Sequence, residues 1–116
     1  MNFDYVFGET ASNKDVFTRT IRPLIEHFAN GYNSTVFAYG ITGAGKSYTM
    51  FGDGGSKEGL IPLTFNYLLD TLPDCRLKMS YLEVYNEQVF DLLVEGSVNL
   101  QVLEDGDRGV VVADLE

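Results

Sequence analysis

The chain has 116 residues, enough for one domain or part of one, and a chain of this size can bury roughly two-thirds of its unfolded surface. Hydrophobic residues at 45% and charged residues at 22% exclude a disordered chain and predict a folded one. The formal net charge of -9 sits entirely in the second part, because residues 1–50 carry four basic and four acidic side chains and residues 51–116 carry four basic and thirteen acidic ones; this balance repels nucleic acid and other polyanionic surfaces.

In chain order, Phe3, Tyr5 and Phe7 alternate with Asp4 and Val6 and predict a short strand ended by Gly8. Ser12 and Asp15 have the spacing of a capping box, and Val16, Phe17, Ile21, Leu24, Ile25 and Phe28 follow at helical spacing as far as Gly31. Pro23 inside that run predicts a kink or a second helix start. Ser34–Tyr39 is a β-branched and aromatic run that reads as a buried strand, with Gly40 opening a turn after it. A helix is expected to start near Gly45, a glycine-rich polar loop to cover about 51–58, and Pro62 to lie in the first turn of a helix ending near Leu72. Arg76–Tyr85 reads as a long strand and Glu87–Leu93 as one or two helical turns. Asn99–Glu104 and Val110–Leu115 read as the arms of a hairpin, with Asp105, Gly106, Asp107 and Gly109 supplying turn chemistry.

Chemistry is concentrated in residues 40–47, GITGAGKS, a full match to the phosphate-binding pattern G-x-x-x-x-G-K-[ST]. The pattern follows an apolar run and precedes a helix-permissive segment, the context that gives it a mechanism. Gly40, Gly43 and Gly45 let the backbone curl so that successive amides face phosphate oxygens. The start of the helix adds partial positive charge. Lys46 can bridge phosphate oxygens, and the Ser47 hydroxyl can ligate Mg2+.

Other candidates carry less. GVVVAD at 109–114 has the form of a strand ending in a metal-side acid, but a turn and a matching arm precede it, so Asp114 reads as part of a hairpin and is left out of the site. His27, the only histidine, sits among Leu24, Ile25 and Phe28 and reads as a helix-surface or core-edge residue. Cys75, the only cysteine, excludes an internal disulfide and has no basic cluster to lower its pKa. Tyr81, Tyr85, Phe65 and Phe90 fall on periodic apolar faces and read as core. No apolar run approaches the roughly 20 residues needed to cross a bilayer, and the N-terminus has no pattern of a secretion signal. The expectation is an intracellular chain that binds neither membrane nor nucleic acid.

The segment NGYNSTVFAYGITGAGKSYTMFG, residues 30–52, resembles the nucleotide-binding segment of kinesin motor domains. FDYVF at 3–7, EGLIP at 58–62, SYLEVYNEQVFDLL at 80–93 and the hairpin of 100–115 resemble kinesin segments in the same order, so the resemblance covers essentially the whole chain. It implies an α/β P-loop fold, a sheet flanked by helices and an incomplete kinesin motor domain. It further implies ATP and Mg2+ as ligands, held by a cradle of Gly40, Ile41, Thr42, Gly43, Ala44, Gly45, Lys46 and Ser47, with Ser47 on the metal and Tyr48 packed on adenine. Ile41 stands where the family usually has glutamine, and Ser47 where it usually has threonine. The first strand, the R-x-R-P base-contacting motif and the switch strings N-x-x-S-S-R-S-H and D-L-A-G-x-E do not occur. The resemblance therefore implies the ATP-binding portion of a microtubule motor of the cytoplasm and cytoskeleton, whose contacts with tubulin lie mostly in segments absent here. The chain alone is not expected to turn over ATP. Two other readings stay open: a self-contained small P-loop phosphotransferase or GTPase, and a non-enzymatic kinesin-like interaction protein.

Overall fold

The computed structural model describes residues 2–107 and 109–116, which form two compact units, Met1–Cys75 and Arg76–Glu116. The first unit is helical. Ser12 N–H donates to Asp15 Oδ2 at 2.8 Å and Asp15 N–H donates to Ser12 Oγ at 3.2 Å, the reciprocal cap that the spacing predicts, and α1 (Asn13–Val16) starts there. Pro23 has no N–H for the carbonyl four residues back. The helix opens just ahead of it into a wide π-type turn, Phe17–Ile21, closed by Arg22 N–H on Phe17 O, and α2 (Arg22–Ala29) begins afresh with Pro23 near its start. Thr18 and Thr20 hydroxyls donate to the Lys14 and Val16 carbonyls at 2.7 Å, a bond back to i−4 that accompanies helix bending.

After the loop come α3 (Lys46–Phe51) and α4 (Leu60–Thr71), the latter with Pro62 in its first turn. Phe17, Ile21 and Ile25 lie four residues apart and so share one face; all three are buried, as are Leu60 and Leu68 of α4. Each such side chain contributes about 1.5–3 kcal/mol. Phe17 meets the Tyr67 ring edge-on at 6.0 Å. At the rim Glu26 Oε1 accepts from Tyr67 OH and from Arg22 Nε, each at 3.1 Å, while Arg22 lies 5.4 Å from the Tyr67 ring centre. Beside this seam Leu24, Phe28, Val36, Ile61 and Phe65 help to line an open apolar groove of about 320 Å³.

Two expected strands of this unit are not strands. Ser34–Tyr39 has no ladder partner among the described residues, and Phe37 and Tyr39 are 80% and 95% exposed. An apolar run suited to the middle of a sheet needs neighbours on both sides, and the described strands pair only within their own hairpins. Phe3–Phe7 is likewise unpaired, with Phe3 and Tyr5 exposed.

The second unit consists of two antiparallel hairpins. β1 (Leu82–Tyr85) pairs with β2 (Gln88–Asp91) from Leu82↔Asp91 to Tyr85↔Gln88. The two-residue turn between them has Asn86 at φ 49° and Glu87 at φ 61°, both left-handed, as the turn that suits twisted strands requires. Glu87–Leu93 is therefore a turn and a strand rather than helix, and the expected strand 76–85 shortens to Leu82–Tyr85. β3 (Val102–Asp105) pairs with β4 (Gly109–Val112): the expected hairpin is present, but its ladder takes in Asp105 and Gly109, expected in the turn, and stops at Val112 short of the expected arm end at Leu115. Tyr81 and Tyr85 are exposed at 38% and 64% instead of forming core, and Phe65 and Phe90 are half-buried.

Asp91 organises this unit. It is buried, and its Oδ1 and Oδ2 accept from the Leu93 and Glu116 amides, each at 2.8 Å, while Ser97 Oγ accepts from its own N–H. Leu100 N–H donates to Val89 O at 2.8 Å, so the chain between the hairpins runs alongside β2. No helix among the described residues is long and apolar enough to cross a membrane.

Candidate functional site

The segment Gly40–Ser47 is a tight loop that runs directly into α3. Gly43 and Gly45 have φ of 81° and 90°, a region that L side chains rarely adopt. Open space surrounds both, so backbone conformation rather than crowding requires glycine there. Gly40 is constrained differently, since a Cβ on it would stand 3.2 Å from Ala44 Cβ. Ala44 N–H donates to Ile41 O at 3.1 Å, which closes the first turn of the loop, and Thr49 N–H donates to Gly45 O at 2.9 Å, which opens the helix.

Among the described residues, the N–H groups of Thr42, Gly43 and Gly45 have no hydrogen-bond partner. The first amides of α3 are free of intrahelical partners by helix geometry. Lys46 Nζ turns back and donates to the carbonyls of Gly40 and Ile41, each at 2.9 Å, and Ser47 is exposed on the first turn of α3. The result is a short arc of unpaired N–H donors, an ammonium and a hydroxyl: the donor set that phosphate oxygens and a hard cation require. Ile41 is 83% exposed, and its carbonyl accepts from the Ala44 amide and from Lys46 Nζ.

Tyr48, the last of the predicted site residues, is 42% exposed. It lines a cleft of about 560 Å³ with Asn13, Lys14, Lys57 and Glu58 among its walls. Behind it the chain forms a backbone junction that sequence reading missed. Asn13 Nδ2 donates to Tyr48 O at 3.1 Å and Glu58 O at 3.0 Å. Gly52 bridges to Glu58, and a Cβ on Gly59 would lie 2.4 Å from Met50 O. Asp53 Oδ1 accepts from the amides of Gly55 at 2.9 Å and Lys57 at 3.0 Å. Those bonds, from Gly55 first and then Lys57, hold its carboxyl below the usual carboxylate range. The paired glycines were a visible signal, whereas nothing local in the sequence marks Asn13, whose partners lie far along the chain.

The remaining candidates stay outside the loop. Asp114 lies in a left-handed turn, φ 58°, just beyond β4 rather than within the expected arm, because the ladder ends at Val112. His27 is exposed on α2 with its ring 6.0 Å from that of Tyr32, and Cys75 is an exposed free thiol. Among the described residues no group of three or more His, Cys, Asp or Glu side chains is placed to hold a metal ion.

A glycine-shaped loop ending in Lys-Ser at the head of a helix is the build of the P-loop class. The sequence matches the Kinesin motor domain family over residues 1–116, and the chain belongs to that family. It is 46% identical over 119 residues to mouse Kinesin-like protein KIF18A, covering 97% of this chain and 13% of that protein. It is 43% identical over 123 residues to Kinesin-like protein 5 of Schizosaccharomyces pombe, covering 97% and 14%. Its backbone matches the solved structure of a fast kinesin, studied for its ATPase mechanism and interactions with microtubules, with a TM-score of 0.88 and 39% identity, over 100% of this chain and 35% of that one. The fold is thus part of the α/β fold of kinesin motors, and Ser34–Tyr39 lacks a ladder in a chain that spans about a third of the solved motor.

Proposed function

We propose that this chain is the ATP-binding portion of a kinesin motor domain that hydrolyses Mg-ATP to move along microtubules. The observation that carries the reading is the loop Gly40–Ser47, with its left-handed Gly43 and Gly45, unpaired amides and Lys46 at the head of α3. The Thr42, Gly43 and Gly45 amides, with those opening α3, bind phosphate oxygens. Lys46 exchanges the Gly40 and Ile41 carbonyls for β- and γ-phosphate oxygens, which as anions are the stronger acceptors. Ser47 offers its hydroxyl to Mg2+, an ion that neutralises charge between the phosphates when bound. Tyr48 presents a flat ring to the base.

The chain spans 13% and 14% of the two curated relatives it was compared with, and the family's switch strings do not occur in it. Sensing the γ-phosphate, positioning the attacking water and engaging tubulin therefore belong to the rest of the motor. The kinesin named above supports microtubules as the partner and the cytoskeleton as the location. Titration with a fluorescent ATP analogue and Mg2+ tests the reading: Lys46→Ala is expected to weaken binding at least about tenfold, with circular dichroism confirming the fold. Equal affinity of the two proteins would exclude the loop as the phosphate site.

A further inference from the structure

The side-chain amide of Asn13 ties the start of α1 to the segment carrying the candidate site. It donates to two carbonyls at once, Tyr48 O at 3.1 Å and Glu58 O at 3.0 Å, across 35 and 45 residues of chain. Its own placement is firm. Asn13 is the first residue of α1, directly after Ser12, and the reciprocal Ser12–Asp15 cap fixes the backbone there.

The receiving end is just as constrained. Tyr48 O also accepts the Gly52 amide at 2.8 Å, so Asn13 takes the second lone pair of a carbonyl whose first is used by the end of α3. Glu58, the other acceptor, bridges to Gly52, and a Cβ on Gly52 would lie 2.1 Å from Lys57 O. One amide thus ties three backbone segments together around Tyr48, a residue that lines the cleft. Asn13 and Tyr48 line the same cleft, whereas the phosphate cradle has its own closures, Ala44 to Ile41 and Thr49 to Gly45.

We infer that Asn13 is a positioning residue for the base-binding part of the site: it fixes the Tyr48 backbone and hence the ring, and leaves the phosphate cradle untouched. The inference rests on the nucleotide-binding reading above. It separates two contributions that an ATP titration alone merges, because a ligand without a base reports only on the cradle. Inorganic tripolyphosphate with Mg2+ is that probe, and Mg-ATP reports on both.

The test compares the affinities of the full chain for Mg-ATP and Mg-tripolyphosphate in wild type, Asn13→Ala, Tyr48→Ala and the double variant. Asn13→Ala is expected to weaken ATP about fivefold, the worth of one hydrogen bond, with tripolyphosphate affinity unchanged. In the Tyr48→Ala background the same substitution is expected to change neither ligand, because no ring remains to position. Asn13→Gln, which keeps the donor, recovers part of the ATP affinity. Equal losses for both ligands, including loss through misfolding that tripolyphosphate does not rescue, would show a merely structural amide and overturn the inference. So would an undiminished effect of Asn13→Ala in the Tyr48→Ala background, or no effect on ATP. Failure of wild type to bind either ligand would instead sink the nucleotide site itself, and the two failures are therefore distinct.

Discussion

The two units of the chain solve the problem of order in opposite ways. Met1–Cys75 is held by partners far apart in sequence: Phe17, Ile21 and Ile25 against Leu60 and Leu68, Glu26 with Tyr67, and Asn13 with Tyr48 and Glu58. Arg76–Glu116 is held by two hairpins closed by short turns, and the longer reach within it is made by buried Asp91, which gathers the Leu93 and Glu116 amides. A defect in the first unit therefore propagates through several helices, and a defect in the second is expected to stay within that unit.

The sharpest way to break that contrast is Gly59→Ala. Its added Cβ would stand 2.4 Å from Met50 O and from the Phe51 carbonyl carbon, and backbone cannot step aside as a side chain tip can. We expect a loss of roughly 2–4 kcal/mol in chemical denaturation, read in the first unit and accompanied by weaker ATP binding. A fully stable variant would show that the junction behind Tyr48 is slack. Asp91→Ala comes next: the part-buried amides of Leu93 and Glu116 lose their charged acceptor, at a cost of about 1–3 kcal/mol. Hydrogen exchange should accelerate at Leu93 and Glu116 and leave the Phe17–Leu68 core protected. Acceleration spread evenly over both units would erase the distinction.

The smallest effect is one of pH. The Gly55 and Lys57 amides lower the Asp53 pKa in the folded chain. Its contribution is therefore complete above the ordinary carboxylate value and is lost only as pH falls through the lower folded value. Protection of those two amides should be flat from neutral to mildly acidic pH and decline only in stronger acid. A decline near neutrality would contradict the assignment.

The same contrast explains what was legible in the sequence. The Ser12–Asp15 cap, the Pro23 restart, α4 behind Pro62 and the hairpin around residues 102–112 all carry their signals within a few residues, and each is present. The loop Gly40–Ser47 was legible because the proposed phosphate role calls for glycine, lysine and serine at fixed spacing, and left-handed Gly43 and Gly45 fit that pattern. Ser34–Tyr39 and Phe3–Phe7 were misread because an apolar run reports the burial it is suited to, and pairing depends on strands elsewhere. Glu87–Leu93 was misread because Asn86-Glu87 is a weaker hairpin signal than Asn-Gly, although the flanking LEVY and QVFD alternate as strands do. Asn13 left no local trace, since its acceptors are backbone carbonyls that only the fold brings to it.

The central claim is that the unpaired amides of Gly40–Ser47 receive the phosphates of ATP. Amide resonances of the isotope-labelled protein, followed during titration with Mg-ATP, test it most directly. The account predicts saturable shifts led by Thr42, Gly43, Gly45, Lys46 and Ser47, and the loss of those shifts in Lys46→Ala. Shifts that centre on other residues, or a folded protein whose loop amides do not respond, would contradict it.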